Sequence, residues 1–562
     1  MFSSPESTNR GVTPELLATI LLVLAYIVWI LSLPAWPSQD GPVHLYYVHV
    51  MRELLSHHAT VYSRYYTIKH VLPPYALYYY ALLALSKLCS LLLADRLVLC
   101  VYLILFVFGF RYLAQAVGPS ADLSTLLALL LALNWSAGMG FLNHCLSLAL
   151  VFWAIGLWLR FTERRPGARL VFLLIVAAIT LTHPVPLLIL LTFCAVDWLQ
   201  RFVCRGKPGG DSRRTFLTAD LVVLFLSAFG LLYARHFAMS NPVSQPGFVH
   251  SAYLSQVGQH VIDTLRMHHV ALIFGRSLPI LLYLFGILAL LVIAYALAFV
   301  QYLRNRSVRR WTPSDTWLVY AIALVVLIPF LPSDLNDAFY FTERLSILIW
   351  LAPLIAASGW TPRTVETAGG DPRMPASPGP LRLALLAFAV VINLCLLWQS
   401  NAILRPVAAQ MAAIQREPIS HAGQLGLILE DSREPASFNK APSWNAFYWA
   451  GAHVFRRDEA VLENSPWLDA AIIPLGAQPT LPVAAVSTGN DASPHQLSQL
   501  FQRVPEARTQ ALVSADFVLI TQPGLPAPSA LDPLLSPPAG GKSWRCRAGA
   551  AWYQLCEPTS TR

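Results

Sequence analysis

The sequence predicts a polytopic α-helical membrane protein of about eleven to thirteen spans, followed by a small C-terminal α/β or mostly β domain. Three observations carry that prediction. Only 12% of the 562 residues are charged, about half of the roughly 25% usual in soluble domains. The mean hydropathy is +0.53 and 56% of the residues are apolar. Runs approaching the roughly 20 apolar residues that a bilayer core demands recur up to residue 398 and then stop. The net charge of +9 does not call for nucleic acid, because Lys and Arg collect in the cytoplasmic loops of membrane proteins.

The first apolar run, 15–33, has one basic residue before it and no small-x-small cleavage site, so it reads as a retained span. Further apolar segments fall near 71–93, 97–117, 123–134, 141–159, 170–182, 184–199, 216–235, 277–303, 315–332, 345–360 and 381–398. Four intervening loops, 160–169, 201–214, 304–310 and 361–382, together hold sixteen Arg/Lys against four Asp/Glu. Loops 34–70, 236–275 and 333–344 are neutral or acidic. This asymmetry predicts that the basic set is cytoplasmic and that the others, with residues 399–562, lie outside.

Parity leaves one conflict. Three spans before Pro119 would bring the chain outside there, so 120–159 should cross once, yet that stretch holds two apolar runs. The run 123–134 is short and precedes "NWSAGMGFLN", which predicts a re-entrant or broken segment; such backbone is tolerated only inside protein or facing water. A second break is "LTHPVPLL", 181–188. Its His183 reads either as part of a tight hairpin or as an ionisable group facing a cavity.

After residue 399 the short strings "QLGLILE", "AIIPLG" and "ADFVLITQ", bounded by turn residues, read as strands. About 160 residues suffice for one soluble domain, so the chain divides into 1–398 and 399–562. Six of the eight cysteines lie in or beside apolar runs. The other two, Cys546 and Cys556, flank "AG" in "SWRCRAGAAWYQLCEP", and an external tail predicts a disulfide closing that hairpin. By the same topology all fifteen histidines are external or within the membrane, five of them in the first outer loop. The cysteines show no metal-ligand spacing, and the adjacent pairs His57-His58 and His268-His269 point different ways if helical.

The loop "LPAWPSQDGPVHLYYVHVMRELLSHH", 33–58, reads as a helix with Asp40 at its N-cap and Pro42 in its first turn. His44, Tyr47 and Met51 then share one face. Asp40 has a second reading: a carboxylate just past the membrane surface, in a water-filled cleft, can act as a general base.

The first span, this loop with its early acid and following His, the "PPYALYYYALL" stretch, "GMGFLNHCLSLALVFW" and "LTHP" together resemble the GT-C superfamily of membrane glycosyltransferases. The resemblance runs over about residues 10 to 400. It is closest to bacterial members related to the lipopolysaccharide-core sugar transferases, the protein O-mannosyltransferases and the aminoarabinose transferase of lipid A. It implies transfer of a sugar from a polyprenyl-phosphate carrier to a glycan, lipid or protein acceptor at the outer face of a bacterial inner membrane. Asp40 matches the family's acid at the start of the first outer loop, and His44 the polar residue after it. Many relatives carry two adjacent acids there. This chain has Gln39-Asp40, which argues against a divalent metal and leaves Asp40 as the only base at that place.

The family also places a cation at the lipid phosphate. In "PSDLNDAFYFTERLSILIWL" Arg344 fits that task, since its fork matches phosphate oxygens; the other reading of Glu343-Arg344 is an interfacial anchor. Lys69 and His70 are further phosphate candidates, and Glu343, His183, Asn143 and Tyr47 are candidates for the substrate cavity. Two rival classes stand beside a transferase. A lipid-linked-saccharide transporter or assembly subunit would carry charges inside several spans, and this chain has almost none. A non-catalytic GT-C homologue would also lack the second acid.

Overall fold

A computed structural model describes residues 12–38, 40–56, 62–68, 72–160, 166–204, 211–239, 257–258, 261–262, 278–307, 312–331, 341–359, 380–416, 425–430, 460–461, 475–477, 517–521, 543–548 and 553–559. Six helices in it are long and apolar enough to cross a membrane. Helix α1 (Pro14–Ser32) starts at Thr13, whose hydroxyl accepts from Leu16 N at 3.1 Å and donates to Asp122 Oδ2 at 2.7 Å. The end of the bundle that holds Thr13 is its base, and the end where α1 finishes is its top.

Everything from Leu33 to Ser90 that is described stays at the top. Helix α2 (Gly41–Leu55), the short α3 (Tyr62–Tyr65), strand β1 (Tyr66–Ile68) and helix α4 (Ala76–Leu85) precede α5 (Leu91–Val117). Segment 71–93 is therefore not the second span expected from its apolar run. Its helix has only 10 residues, about 15 Å at 1.5 Å per residue. The chain turns after it, and Ser90 caps α5 by accepting from Leu93 N at 3.3 Å. Arg96 in the first turns of α5 donates to the carbonyls of Leu31 and Leu33, at the finishing end of α1. The other end of α5 returns to the base, where Arg111 pairs with Asp122 at 2.8 Å.

This correction removes the parity conflict. Only two passes precede Pro119, so that residue lies at the base, where Ser120 N donates to Ser358 O at 3.0 Å. The stretch 120–159 then passes twice. The first pass is broken: α6 (Ala121–Ala128), a 3-10 turn (Leu129–Leu131) and α7 (Trp135–Met139). Its interruption is buried throughout and satisfied internally: Tyr102 Oη donates to Ala132 O at 2.6 Å, and Asn134 Nδ2 donates to Tyr102 Oη at 3.2 Å. Such backbone at membrane depth is tolerable only with partners of this kind. The second pass is α8 (Leu142–Leu159), ending where Arg160 donates to Tyr112 O at 2.8 Å.

The passes then alternate: α9 (Pro166–Thr182), α10 (Val185–Cys204), α11 (Asp211–Met239), α12 (Leu278–Ser307), α13 (Pro313–Leu327), the pair α14 (Phe341–Leu345) and α15 (Leu348–Ala357), and α16 (Pro380–Arg416). Segments 170–182 and 184–199 are thus not half-spans but parts of helices of 17 and 20 residues. With α1, α5, α6–α7 and α8, these make eleven passes among the described residues. The described helix ends that flank the four basic loops all lie at the base. Cross-ties mark the two levels: Arg382 to Glu15 at the base, Trp29 Nε1 to Asn401 Oδ1 (3.1 Å) and Arg405 Nη2 to Ser32 Oγ (2.8 Å) at the top.

The tail forms a mixed five-stranded sheet in the order β3-β2-β5-β7-β6. Its strands are β2 (Leu425–Glu430), β3 (Ala460–Val461), β5 (Phe517–Thr521), β6 (Trp544–Ala548) and β7 (Tyr553–Pro558), with β2 parallel to β3 and β5. Strand β4 (Leu475–Ala477) leaves that sheet and pairs antiparallel with β1, Tyr66 opposite Ala477 and Ile68 opposite Leu475. The tail and the first loop therefore sit on one side of the bundle. In the terminal hairpin Cys546 faces Cys556, and the two form a disulfide. A loop of this length contributes about 2–3 kcal/mol through chain entropy. Folded, unreduced protein should leave both positions unmodified by a thiol reagent, read by peptide mass mapping; modification of both would show two free thiols.

Candidate active site

The site is built where the first loop meets the break between α7 and α8. Asp40 stands at the start of α2 with helical backbone angles, φ −90° and ψ −13°, and its side chain makes no capping hydrogen bond to the helix. The N-cap reading of this residue is thus corrected: a true N-cap takes an extended conformation and accepts from the second or third N–H of the helix. What fixes Asp40 is backbone. Its N–H donates to Met139 O at 2.9 Å, and Trp36 Nε1 donates to Ala137 O at 3.0 Å. Gly140 follows with φ +86°, and a Cβ there would also come within 3.1 Å of Asp40 N. Glycine is required by conformation and by space. The "DG" of the first loop and the "GMG" of the break interlock, leaving the Asp40 carboxylate half-buried at the rim.

Arg344 comes from the short α14, on the facing side. Its Nη1 stands 2.7 Å from His183 Nε2, and its guanidinium lies 4.0 Å over the Phe141 ring. Its Nε is buried without a hydrogen-bond partner among the described residues. His183 occupies the α9–α10 turn. Its ring meets Tyr75 edge-on at 4.7 Å and His144 at 5.0 Å. The LTHP segment is therefore a tight hairpin, and its buried histidine lies against Arg344, Tyr75 and His144. Tyr75 has φ +76°, a conformation that is strained for a bulky residue and is held only where the surroundings over-determine it.

His44 lies one turn along α2 from Asp40. Its Nδ1 is 2.7 Å from Tyr79 Oη, and its ring packs edge-on against Tyr78 and Tyr79. Burial first, and the Arg344 charge second, pull its pKa down to about 4. His44 is neutral at pH 7 and acts through hydrogen bonding. The Arg344 charge is felt at His44, His144 and His183, and Asp40 is felt at Arg344 and Tyr79. An acid and a cation from different elements thus share one buried cluster.

The other sequence candidates divide. Glu343 is buried beside Arg344. Tyr47 is buried in an aromatic group with Tyr46 and Tyr79. Asn143 is buried, and its Oδ1 accepts from His144 N at 2.7 Å, a local bond in the first turn of α8. Lys69 and His70 lie outside the described residues. Among the described residues no group of three His, Cys, Asp or Glu side chains is placed to hold a metal. Sequence reading missed Tyr75, Phe141 and His144. Each stands beside a motif it did single out: Tyr75 after Pro73-Pro74, Phe141 and His144 on either side of Leu142-Asn143.

No protein-family model matches the sequence, and no curated protein matches it. The fold matches that of a solved structure at low sequence identity. The solved structure that shows this is the apo state of ArnT from Cupriavidus metallidurans: TM-score 0.52, 15% identity, covering 96% of this chain and 98% of that one. ArnT bound to undecaprenyl phosphate gives TM-score 0.49 and 13% identity over 96% and 98% of the two chains. The arabinofuranosyltransferase AftD from Mycobacteria gives 0.49 and 12% over 98% of this chain and 40% of that one. At these identities the likeness is one of fold.

Proposed function

We propose that this chain transfers a sugar, with inversion, from a polyprenyl-phosphate donor to an acceptor hydroxyl at the outer face of the membrane. The observation that carries the reading is half-buried Arg344, whose buried Nε is a donor left over, within electrostatic range of Asp40. The acceptor oxygen attacks the anomeric carbon while the bond from that carbon to the phosphate oxygen breaks. The bonding pair leaves with the phosphate, and the hydroxyl proton passes to Asp40. Arg344 stabilises the charge that grows on the departing phosphate. His44 orients Tyr79 at the rim, Glu343 tempers the guanidinium charge, and Tyr47 and Asn143 support the cavity wall. Lys69 and His70 are further cations for the phosphate on the same loop.

The orientation follows the charge asymmetry. The helix ends that flank the basic loops lie at the base, which supports a cytoplasmic base. The top, with the first loop and the tail strand paired to it, then faces outward. A bonded Cys546–Cys556 pair agrees with an oxidising compartment there. For a bacterial chain this is the inner membrane, with the tail extracytoplasmic.

ArnT has been solved with undecaprenyl phosphate bound, so that lipid is the first probe to use. Purified protein in nanodiscs should bind undecaprenyl phosphate saturably and with a higher Tm. It should bind undecaprenol, the same chain without the phosphate, at least tenfold more weakly, the least expected for loss of charge-assisted bonds of roughly 1.5–3 kcal/mol. Equal binding of the two lipids would sink the phosphate-carrier reading.

A further inference from the structure

His183 carries one hydrogen too many for its surroundings. Val185 N–H donates to His183 Nδ1 at 3.2 Å, so Nδ1 must be the bare nitrogen. The proton of a neutral imidazole then sits on Nε2. Yet Nε2 is the atom 2.7 Å from Arg344 Nη1, and a guanidinium nitrogen has only hydrogens to offer. Two donors face each other. The opposite tautomer relieves Arg344 but sets Val185 N–H against a protonated Nδ1. No neutral tautomer satisfies both contacts, and a positive imidazolium against Arg344 is worse.

The backbone partner is the firmer of the two. Val185 is the first residue of α10, where the opening N–H groups have no partner within the helix. The turn itself is pinned: His183 N donates to Ile179 O at 2.8 Å, Ser147 Oγ donates to His183 O at 2.7 Å, and the residue is wholly buried. Tyr75 and His144 hold the ring edge-on from two sides. Arg344 is the movable member, on a five-residue helix with Nε still open.

We infer that His183 is a second ligand of the donor phosphate, its Nε2–H donating to a phosphate oxygen shared with Arg344, and that Val185 N–H sets this tautomer. One anion resolves the conflict. It accepts from Nε2–H and from the guanidinium fork at once, and both donors then point at oxygen instead of at each other. This rests on the phosphate-carrier reading above and adds to it a neutral donor that fixes where the phosphate sits.

The test compares two substitutions of nearly equal length. His183→Gln retains an N–H donor at about the Nε2 position; His183→Met retains volume without a donor and suits an apolar neighbourhood. Each full-length variant, in nanodiscs, is titrated with undecaprenyl phosphate and with undecaprenol. Gln should stay within about threefold of wild type for the phosphate, and Met should lose roughly tenfold or more, the range of a hydrogen bond to a charged group. Neither should change undecaprenol binding. A Met variant that binds undecaprenyl phosphate like wild type, while wild type still prefers it over undecaprenol, overturns the role of His183 and leaves the carrier reading standing. A wild type without that preference overturns both. If Met does not fold, 15N-histidine NMR of the wild type decides: bound undecaprenyl phosphate should leave a buried imidazole protonated at Nε2, and protonation at Nδ1 would refute the assignment.

Discussion

Asp40→Asn should lower turnover by roughly 10²–10⁴-fold, the usual contribution of a positioned general base, in a protein that still inserts and folds. The backbone anchors of residue 40 do not depend on its side chain. Asp40 is held through its own N–H on Met139 O, and its C=O accepts from His44 N at 3.1 Å; both bonds are backbone and survive it. The side chain makes no capping bond that Asn would have to replace. Gly140 and Gly41 keep the loop and the break in register whatever residue stands at 40. What disappears is the basic carboxylate that takes the acceptor proton. The assay is single-turnover transfer with Tm measured alongside. Wild-type turnover in the Asn variant would show that Asp40 is structural and that the proton leaves by another route. A loss of turnover accompanied by a drop of several degrees in Tm would move the role of Asp40 to the fold.

How far the sequence discloses this protein depends on which physical signal each element carries. The charge asymmetry was legible because it is a property of short segments, and the described helix ends that flank the four basic loops lie together at the base. The strands "LGLILE" and "FVLIT" were legible because each is a short apolar run between turn residues. Segment 71–93 was misread because length and apolarity alone cannot tell a span from a buried helix. Its tyrosines are apolar enough to count toward a span, yet Tyr78 and Tyr79 are packed on His44 of the first loop. The contrary signal lay in "SKLCS": Lys87 is costly at mid-membrane, and Ser90 is a helix cap. That single misreading produces the parity conflict, for which 123–134 reads as a re-entrant or broken segment. The chain there is broken, but it completes the pass. The acid of the site was legible because it follows directly on a span. Its electrostatic proximity to Arg344, some 300 residues later in the chain, was not, because an interaction between such distant segments leaves no local pattern.

Arg344→Ala should weaken undecaprenyl phosphate binding by roughly 10–100-fold, corresponding to loss of a charge-assisted bond of roughly 1.5–3 kcal/mol, and Arg344→Lys should fall between Ala and wild type. The ordering follows from shape. The guanidinium lies over Phe141 at 4.0 Å and presents Nη1 toward His183 while Nε is left open. A planar fork can keep the ring contact and hold two phosphate oxygens together. A lysine ammonium supplies the charge from a flexible stem and loses both the stacking and the second bond. The anchoring alternative makes a different prediction: an interfacial Arg is replaced well by Lys, and its loss disturbs insertion more than ligand affinity. Burial inside the cluster already speaks against that role, since an anchor reaches toward headgroups. Isothermal titration of the three proteins with undecaprenyl phosphate separates the cases. Affinity in the Ala variant equal to wild type would leave the phosphate without its cation and return Arg344 to an anchoring role.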